Sequence, residues 1–227
     1  MAKTAILIDG GYYRSRGRYN GLVDTTSAEI SAEQLMQYCQ MHLQDEADID
    51  KRQLYRIFYY DCPPAEGLVW HPFKMENVDL TKTSTYTWTQ AFYGELKKRR
   101  KVALRMGELS GSMAYQLKPT RQTDIFSGSA TLADIKEHDF VLSVQQKGVD
   151  MKIGLDIASL AYKHQVDQII LIAGDSDFIP AVKLARREGI DVILDTLGGH
   201  VKDKLAENTD GLRSHYRDFT KQLMNTK

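Results

Sequence analysis

Short apolar runs alternate with stretches of helical periodicity along this chain. The runs predict strands at residues 4–8, 54–60, 140–146, 168–173 and 191–195. Between them, apolar residues recur at a spacing of three and four, which predicts helices at residues 32–44, 83–101, 150–164 and 178–189. Strands that alternate with helices are typical of α/β proteins with a mostly parallel sheet covered on both faces. We therefore predict a three-layer α/β/α sandwich.

The middle of the chain departs from this alternation. Residues 65–82 show little periodicity and are expected to form a loop or an insertion. Residues 102–118 read as two strands joined at Ser110–Ser112, which predicts a hairpin. Before them, Ser31 and Gln34 match a capping box, which predicts where the helix over residues 32–44 begins. The sequence thus predicts a main sheet with an added hairpin or insertion.

Aspartates follow four of the predicted strands. Asp9, Asp61 and Asp195 stand at the ends of their apolar runs, and Asp175 and Asp177 come shortly after another run. In open α/β sheets the carboxyl ends of the strands meet at one edge, where ligands bind. We therefore expect these carboxylates to share one edge of the sheet.

The helix predicted at residues 150–164 contributes two more acids. Asp150 shares one helical face with the apolar residues Ile153, Ile157, Leu160 and Ala161. This spacing places Asp150 on the core-facing stripe, in the first turn, where its carboxylate can face the sheet edge. Asp156 lies at the border of the same stripe, further along the helix.

Gathered carboxylates need a compensating positive charge, from protons or from a cation. Oxygen ligands without a convincing set of His or Cys residues favour Mg²⁺ or Mn²⁺ over zinc. Such an ion suits phosphoryl chemistry, because it polarises a phosphate oxygen and activates a water molecule. Taken singly, Asp150, Asp175 and Asp177 also fit helix starts, and the other strand-end acids fit ordinary turns. Their convergence on one edge favours a site.

A basic and aromatic segment follows Asp9 directly. Residues 12–19, YYRSRGRY, interleave arginines with tyrosines. Arginines bind phosphates and tyrosines stack on unpaired bases. The candidate substrate-binding residues are therefore Tyr12, Tyr13, Arg14, Arg16 and Arg18. A solvated loop is the alternative explanation, and the denser run KKRRK at residues 97–101 is better explained as a basic helix end.

The composition gives no global signal for a partner. The 227 residues include 30 basic and 30 acidic side chains, which cancel, so an anionic partner must be held by a local basic patch. No apolar run has the length of a membrane span or the pattern of a signal peptide. Cys39 and Cys62 form no disulfide framework or zinc pattern. We expect a reducing, cytoplasmic location and no membrane partner.

Four segments carry ordered motifs. They are AILIDGGYY at residues 5–13, FYYDCPP at 58–64, QKGVDMKIGLDIASLA at 146–161 and IILIAGDSDFIPAVKLARREGIDVIL at 169–194. Together they resemble the NYN domain, a LabA-like branch of the PIN-like nuclease superfamily. The order of strand-Asp, Gly-Val-Asp on a helix and Gly-Asp-Ser-Asp-Phe after a strand is specific, whereas no single piece is. The resemblance implies one NYN/PIN-like domain over residues 1–227, with residues 65–139 as a family-specific insertion.

The same resemblance implies a divalent-metal-dependent nuclease that uses Mg²⁺ or Mn²⁺. Carried over residue by residue, the catalytic and metal-binding carboxylates would be Asp9, Asp150 and Asp175, with Asp177 completing the cluster. The implied reaction is hydrolysis, in which metal-activated water attacks the phosphodiester in line. RNA is the expected partner and DNA the alternative. The number of ions and a homo-oligomeric state stay open.

Two other functions stay open at this point. Many relatives carry Asn shortly after the first Asp-Gly, where this chain has Gly11-Tyr12. A nucleic-acid-binding or regulatory protein with little turnover is therefore the alternative function. A phosphatase or phospho-receiver with an acidic pocket agrees less well with the sequence. The phosphatase requires an acid two residues after Asp9, where this chain has Gly11, and the receiver requires a lysine after a late strand, which VILDTLGG lacks.

Overall fold

The computed structural model describes residues 2–44, 52–200 and 203–225. In these ranges the strands are β1 (Ala2–Asp9), β2 (Arg52–Asp61), β3 (Leu68–His71), β4 (Glu76–Asp79), β5 (Val102–Met106), β6 (Glu108–Leu117), β7 (Phe140–Lys147), β8 (Gln168–Ile172), β9 (Asp191–Asp195) and β10 (Gly211–Leu212). The helices are α1 (Gly10–Asn20), α2 (Ala28–Leu43), α3 (Ser84–Lys98), α4 (Pro119–Phe126), α5 (Val149–Tyr162), α6 (Ile179–Arg187), α7 (Asp203–Ala206) and α8 (Tyr216–Asn225). Short 3₁₀ helices lie at Leu80–Lys82, Leu132–Asp134, Glu137–Asp139 and Ser176–Phe178.

Six strands form a sheet in the order β10-β9-β8-β1-β2-β5. Every neighbouring pair in this main sheet is parallel. Side chains of the inner strands alternate between two cores: in β1, Ala5 and Leu7 belong to one, and Ile6 and Ile8 to the other. A strand that is buried on both faces reads as a continuous apolar run, which is why the sequence shows no polar alternation there.

Helices cover both faces of the main sheet. On one face, α5 and α6 pack through residues such as Ile153 and Val182. On the other face, α1, α2 and α3 contribute Tyr13, Leu35 and Phe92 to the core. The predicted three-layer α/β/α sandwich is therefore confirmed. Across the described ranges, no helix combines the length and the apolar character that crossing a membrane requires.

The hairpin predicted at residues 102–118 is wrong. The first half forms β5, which pairs in parallel with β2 at the edge of the main sheet. The second half forms β6, which pairs antiparallel with the distant strand β7. The chain changes direction at Gly107, whose N–H donates to the carbonyl of Asp61 at 2.7 Å. A Cβ at Gly107 would lie 2.6 Å from the carbonyl oxygen of Lys147, so only glycine fits this junction.

Two smaller predictions also need correction. Residues 65–82 are not a loop, because they contain the antiparallel hairpin β3–β4 and a 3₁₀ turn. Helix α2 begins one turn before the predicted capping box, at Ser27, whose hydroxyl accepts from the N–H of Ile30 at 3.2 Å. Ser31 is buried inside the helix and donates to the carbonyl of Asp24. A serine that bonds backward in this way does not cap the helix it belongs to.

A buried polar cluster around Asp195 joins α2 to the end of β9. The Asp195 carboxylate accepts a short hydrogen bond from the Tyr38 hydroxyl and contacts Nε2 of His42 at 2.9 Å. The N–H of Leu197 donates to the other carboxylate oxygen at 2.7 Å. The side chains of His42 and Asp195 are both 0% exposed. This buried acid therefore depends on its hydrogen-bond partners for stability.

We expect Tyr38→Phe to lower the free energy of unfolding by about 1–3 kcal/mol, because the buried Asp195 carboxylate loses a donor that nothing replaces. Urea denaturation at neutral pH measures the loss. The matched control is Tyr162→Phe, at a tyrosine that is 61% exposed, and its effect should stay within about 0.5 kcal/mol. Equal stability of the two variants would contradict the structural role of the cluster.

Candidate functional site

Asp9 ends β1 and also caps α1. Its carboxylate accepts from the N–H of Tyr12 at 3.0 Å. Burial raises the pKa of Asp9 to about 6, the Tyr12 hydrogen bond opposes this rise, and the charges of Asp150 and Asp61 add to it. Burial is thus the main reason that the neutral form of Asp9 is favoured, and the neighbouring carboxylates add to it.

Asp150 lies in the first turn of α5 and is exposed. The buried stripe of α5 begins at Val149 rather than at Asp150, so the prediction that Asp150 lies on that stripe is wrong by one position. Gly148, with φ 82°, precedes the helix and sets its entry angle. Partial burial, followed by the charges of Asp175 and Asp177, raises the pKa of Asp150. Asp150 thus faces the same edge as the acids that follow β8.

Asp175 and Asp177 stand just past the carboxyl end of β8 and are both exposed. Asp175 caps the 3₁₀ turn, because its carboxylate accepts from the N–H of Asp177 at 3.1 Å. The side chain of Asp177 makes no such cap, so the capping explanation holds for Asp175 alone. Gly174 before them is required: a Cβ there would lie 2.3 Å from the ring of Tyr12.

We call the group of Asp9, Asp150, Asp175 and Asp177 the acidic edge. Electrostatic repulsion links Asp9 to Asp150, and Asp150 to the other two. Among the described residues, no lysine, arginine or histidine forms an ion pair with any of the four. Over residues 2–44, 52–200 and 203–225, no three His, Cys, Asp or Glu side chains approach closely enough to hold a metal ion. The predicted acids therefore share one edge without forming a coordination sphere.

Asp61, at the end of β2, differs from the acidic edge because it has a cationic partner. The guanidinium of Arg14 lies 2.8 Å from its carboxylate, and the N–H of Cys62 donates at the same distance. Burial raises the pKa of Asp61, whereas Arg14 lowers it. Sequence reasoning placed Asp61 at the edge but missed the pair. The signal was present: a buried strand-end acid needs a cation, and α1 begins beside it.

The remaining candidate acids serve the scaffold. Asp195 is fully buried in the cluster with Tyr38 and His42 described above. Asp156 accepts from the Tyr60 hydroxyl at 2.9 Å and from Nε of Arg105 at 3.0 Å, which joins α5 to strands β2 and β5. Neither carboxylate belongs to the acidic edge.

The prediction that Tyr13 binds substrate is wrong. Residues 12–19 form part of α1, and the helix turns Gly10, Tyr13 and Gly17 toward the core. Tyr13 is 0% exposed and packs edge-on against the ring of Tyr59, with 6.4 Å between ring centroids. A fully buried ring cannot stack on a base.

Tyr12 and Arg14 hold the site together. The ring of Tyr12 covers Gly174, and its hydroxyl donates to the carbonyl of Thr196 at 2.5 Å. Burial raises the pKa of Tyr12 to about 12, so its hydroxyl stays protonated. Arg14 is 18% exposed and is committed to Asp61. Both residues border the acidic edge, but their contacts are already made within the protein.

Arg16 and Arg18 remain the more available cations of α1. Arg18 is exposed, and its guanidinium lies 5.8 Å from the centre of the Trp88 ring. Arg16 is half-buried over Tyr19, and its Nε has no hydrogen-bond partner among the described residues. That Nε is itself buried, so the exposed guanidinium of Arg18 is the more accessible of the two to a phosphate.

The donor chemistry of the acidic edge fits a hard divalent cation. All four side chains offer carboxylate oxygens, which Mg²⁺ and Mn²⁺ prefer. Among the described residues none of the four forms an ion pair with a lysine, arginine or histidine, so a cation would meet no competing positive side chain paired with them. In this respect the residues present match the ion that the sequence motifs imply.

Comparison with known proteins places the chain in a family. The chain is similar to a solved structure of a protein of unknown function from Vibrio parahaemolyticus RIMD 2210633, with 15% identity, a TM-score of 0.43 and coverage of 94% of this chain and 92% of that chain. None of the curated proteins compared with the chain matches it. The family model described as "NYN domain" matches residues 3–214. Because that match spans nearly the whole chain, this protein belongs to the NYN domain family, which is part of the PIN-like superfamily.

Proposed function

We propose that this protein is a divalent-metal-dependent nuclease that hydrolyses phosphodiester bonds of RNA at the acidic edge. The NYN family is generally nuclease-like, which supports a hydrolase acting on nucleic acid. One observation carries the finer proposal: four carboxylates share one edge of the sheet, and no described lysine, arginine or histidine forms an ion pair with any of them. Elsewhere in the same structure the strand-end acids do have partners, as Asp61 has Arg14.

Asp9, Asp150, Asp175 and Asp177 would hold the ion. When bound, Mg²⁺ or Mn²⁺ would supply positive charge to a phosphate oxygen and lower the pKa of a water molecule. The chain itself orients the acids: the N–H of Tyr12 fixes the Asp9 carboxylate, and the N–H of Asp177 fixes that of Asp175. Arg16 and Arg18 would bind flanking phosphates, because neither is held in an ion pair within the described residues as Arg14 is.

A second candidate function is nucleic-acid binding with little turnover. Two observations favour it: the acids do not converge into a ready metal site within the described ranges, and Gly11-Tyr12 stands where many relatives carry Asn. The Tyr12 side chain is occupied with Thr196, so it does not supply the missing polar group. The experiments below separate the two functions.

We expect purified protein to cleave labelled single-stranded RNA with Mn²⁺ or Mg²⁺, and to lose this activity in EDTA. Asp9→Asn should reduce the rate at least about 100-fold, the upper end of what is lost when an outer-shell partner of a metal site is removed. Gel assays on single- and double-stranded RNA and DNA measure the rates. Asp218→Asn is the matched control, because that side chain is 69% exposed on α8.

Cleavage that persists in EDTA or in Asp9→Asn would overturn the metal-dependent nuclease. Metal-independent binding of RNA without cleavage would instead support the binding protein. Cleavage of DNA in preference to RNA would leave the nuclease in place and correct its substrate.

Thermal unfolding tests the cation site without reference to activity. A ligand at 100 times its dissociation constant stabilises by about 2.7 kcal/mol, so saturating Mn²⁺ should raise the Tm of the wild type by about 5–10 °C. Asp150→Asn should lose most of this shift. In EDTA, the same variant should melt no lower than the wild type, because it removes the repulsion from Asp175 and Asp177. A full Mn²⁺ shift in Asp150→Asn would contradict its role as a ligand.

The salt dependence of RNA binding tests the two arginines. Each phosphate contact to a single strand contributes about 0.7 to the slope of log K against log salt concentration. The double variant Arg16→Gln/Arg18→Gln should therefore lower that slope by about 1.4 when measured in EDTA by fluorescence anisotropy. Arg187→Gln, at an exposed position on α6, should leave it unchanged. An unchanged slope in the double variant would place the phosphate contacts elsewhere.

A further inference from the structure

A groove lies between the antiparallel ribbon β6–β7 and the first turn of α3. It encloses about 410 Å³ and its lining includes Arg14 and Cys62. We call it the ribbon groove. Its volume is that of a site for a small molecule or a part of a larger one, since such sites measure roughly 300–1,000 Å³.

One end of the ribbon groove borders the acidic edge. Arg14 lines the groove and also pairs with Asp61, whose charge acts on Asp9. The ribbon is anchored at the same place: Gly107, before β6, donates to the carbonyl of Asp61. Strand β7 in turn ends one residue before Gly148, and α5 with Asp150 follows. A molecule bound in the groove would thus extend toward the acids.

The walls of the ribbon groove are aromatic and apolar. Tyr86 contributes one ring from α3, and Tyr115 and Phe140 contribute two from the ribbon. Leu142 and Val144 continue the face of Phe140, because alternate residues of β7 point the same way. All five side chains are half-buried. The rings of Tyr115 and Phe140 also contact the ring of His71, at 4.3 and 5.4 Å between centroids, and the exposed part of the three rings that line the groove is suited to a flat apolar ligand.

Polar groups line the ribbon groove beside the rings. Thr85 and Gln146 are exposed and line the groove, with a hydroxyl and an amide that can donate and accept. A nucleobase combines these requirements, since it has two π-faces for stacking and a polar edge for hydrogen bonds.

From this arrangement we infer that the ribbon groove accepts an unstacked nucleobase of single-stranded RNA, next to the phosphate at the acidic edge. The inference rests on the proposed nuclease function and names the state of its substrate. A base can enter the groove only after it leaves its helical stack, and that step is costly in a duplex. The protein therefore selects single strands over duplexes.

Filling the ribbon groove tests the inference. Thr85→Trp places a large ring at a position that lines the groove, whereas Thr87→Trp places the same ring on the same helix at a position that does not line it. We expect Thr85→Trp to weaken binding of a labelled single-stranded 12-mer RNA in EDTA about tenfold or more, the order of effect seen when base stacking is lost. Thr87→Trp should bind as the wild type does. Circular dichroism and thermal melting confirm that both variants fold.

Tyr86→Ala provides a second variant in case Thr85→Trp does not fold. It removes a stacking face and should also weaken binding about tenfold. Tyr162→Ala, at an exposed tyrosine of α5, is its control. Wild-type affinity in Thr85→Trp and Tyr86→Ala would overturn the ribbon groove as a base site, whether or not the protein cleaves RNA.

A set of 12-mer RNAs separates this inference from the proposed function. Each RNA of the set lacks the base at a different position, and at one of these positions the loss should weaken binding to the wild type about tenfold. The Thr85→Trp variant should bind that RNA and the intact RNA with equal affinity, because the tryptophan ring already fills the groove. If the protein cleaves RNA but no missing base weakens binding, the base site is contradicted and the proposed nuclease function is retained. If one missing base weakens binding but the protein does not cleave RNA, the base site is supported and the proposed nuclease function is contradicted.

Discussion

Parallel pairing of the main sheet is the constraint on which the site depends. Because β1, β2, β8 and β9 all run the same way, the aspartates at or after their ends must meet at one edge. Like charges at such an edge repel, and the protein offsets each acid differently. Asp61 has the guanidinium of Arg14, and Asp195 is buried among hydrogen-bond donors. Asp9 and Asp175 accept backbone N–H groups, but no described lysine, arginine or histidine forms an ion pair with them, with Asp150 or with Asp177.

The positions of the strand-end aspartates at the sheet edge could be predicted from the sequence, because they depend on local patterns of apolar residues. A strand buried on both faces gives an apolar run, and the residue after that run is near the edge whatever the sheet order. Asp150 was misplaced by one position, since adjacent residues of a helix differ by only 100° in direction and the true stripe starts at Val149. The neighbourhood of Asp150 was still predicted correctly, as its interaction with Asp175 and Asp177 shows.

What the sequence could not supply was the choice of strand partners. Residues 102–117 have the alternation of a strand on either side of Gly107, and a local hairpin satisfies that pattern as well as two distant pairings do. The choice depends on tertiary contacts with β2 and β7, which lie more than 20 residues away in the chain. The error on Tyr13 was avoidable. Gly10, Tyr13 and Gly17 are spaced as one helical face, and that spacing outweighs the alternation of arginine and tyrosine around it.

Helix α1 connects the electrostatics of the site to its packing. Three successive residues in its first turn contact three different neighbours: Tyr12 reaches Thr196 after β9, Tyr13 packs on Tyr59 of β2, and Arg14 pairs with Asp61. The helix starts at Asp9, so these contacts also fix the direction in which that carboxylate points. A change in any one of them would move an acid of the edge without touching it. Tyr12, Tyr13 and Arg14, which the sequence suggested as substrate ligands, thus make contacts within the protein that position the start of α1 and with it Asp9.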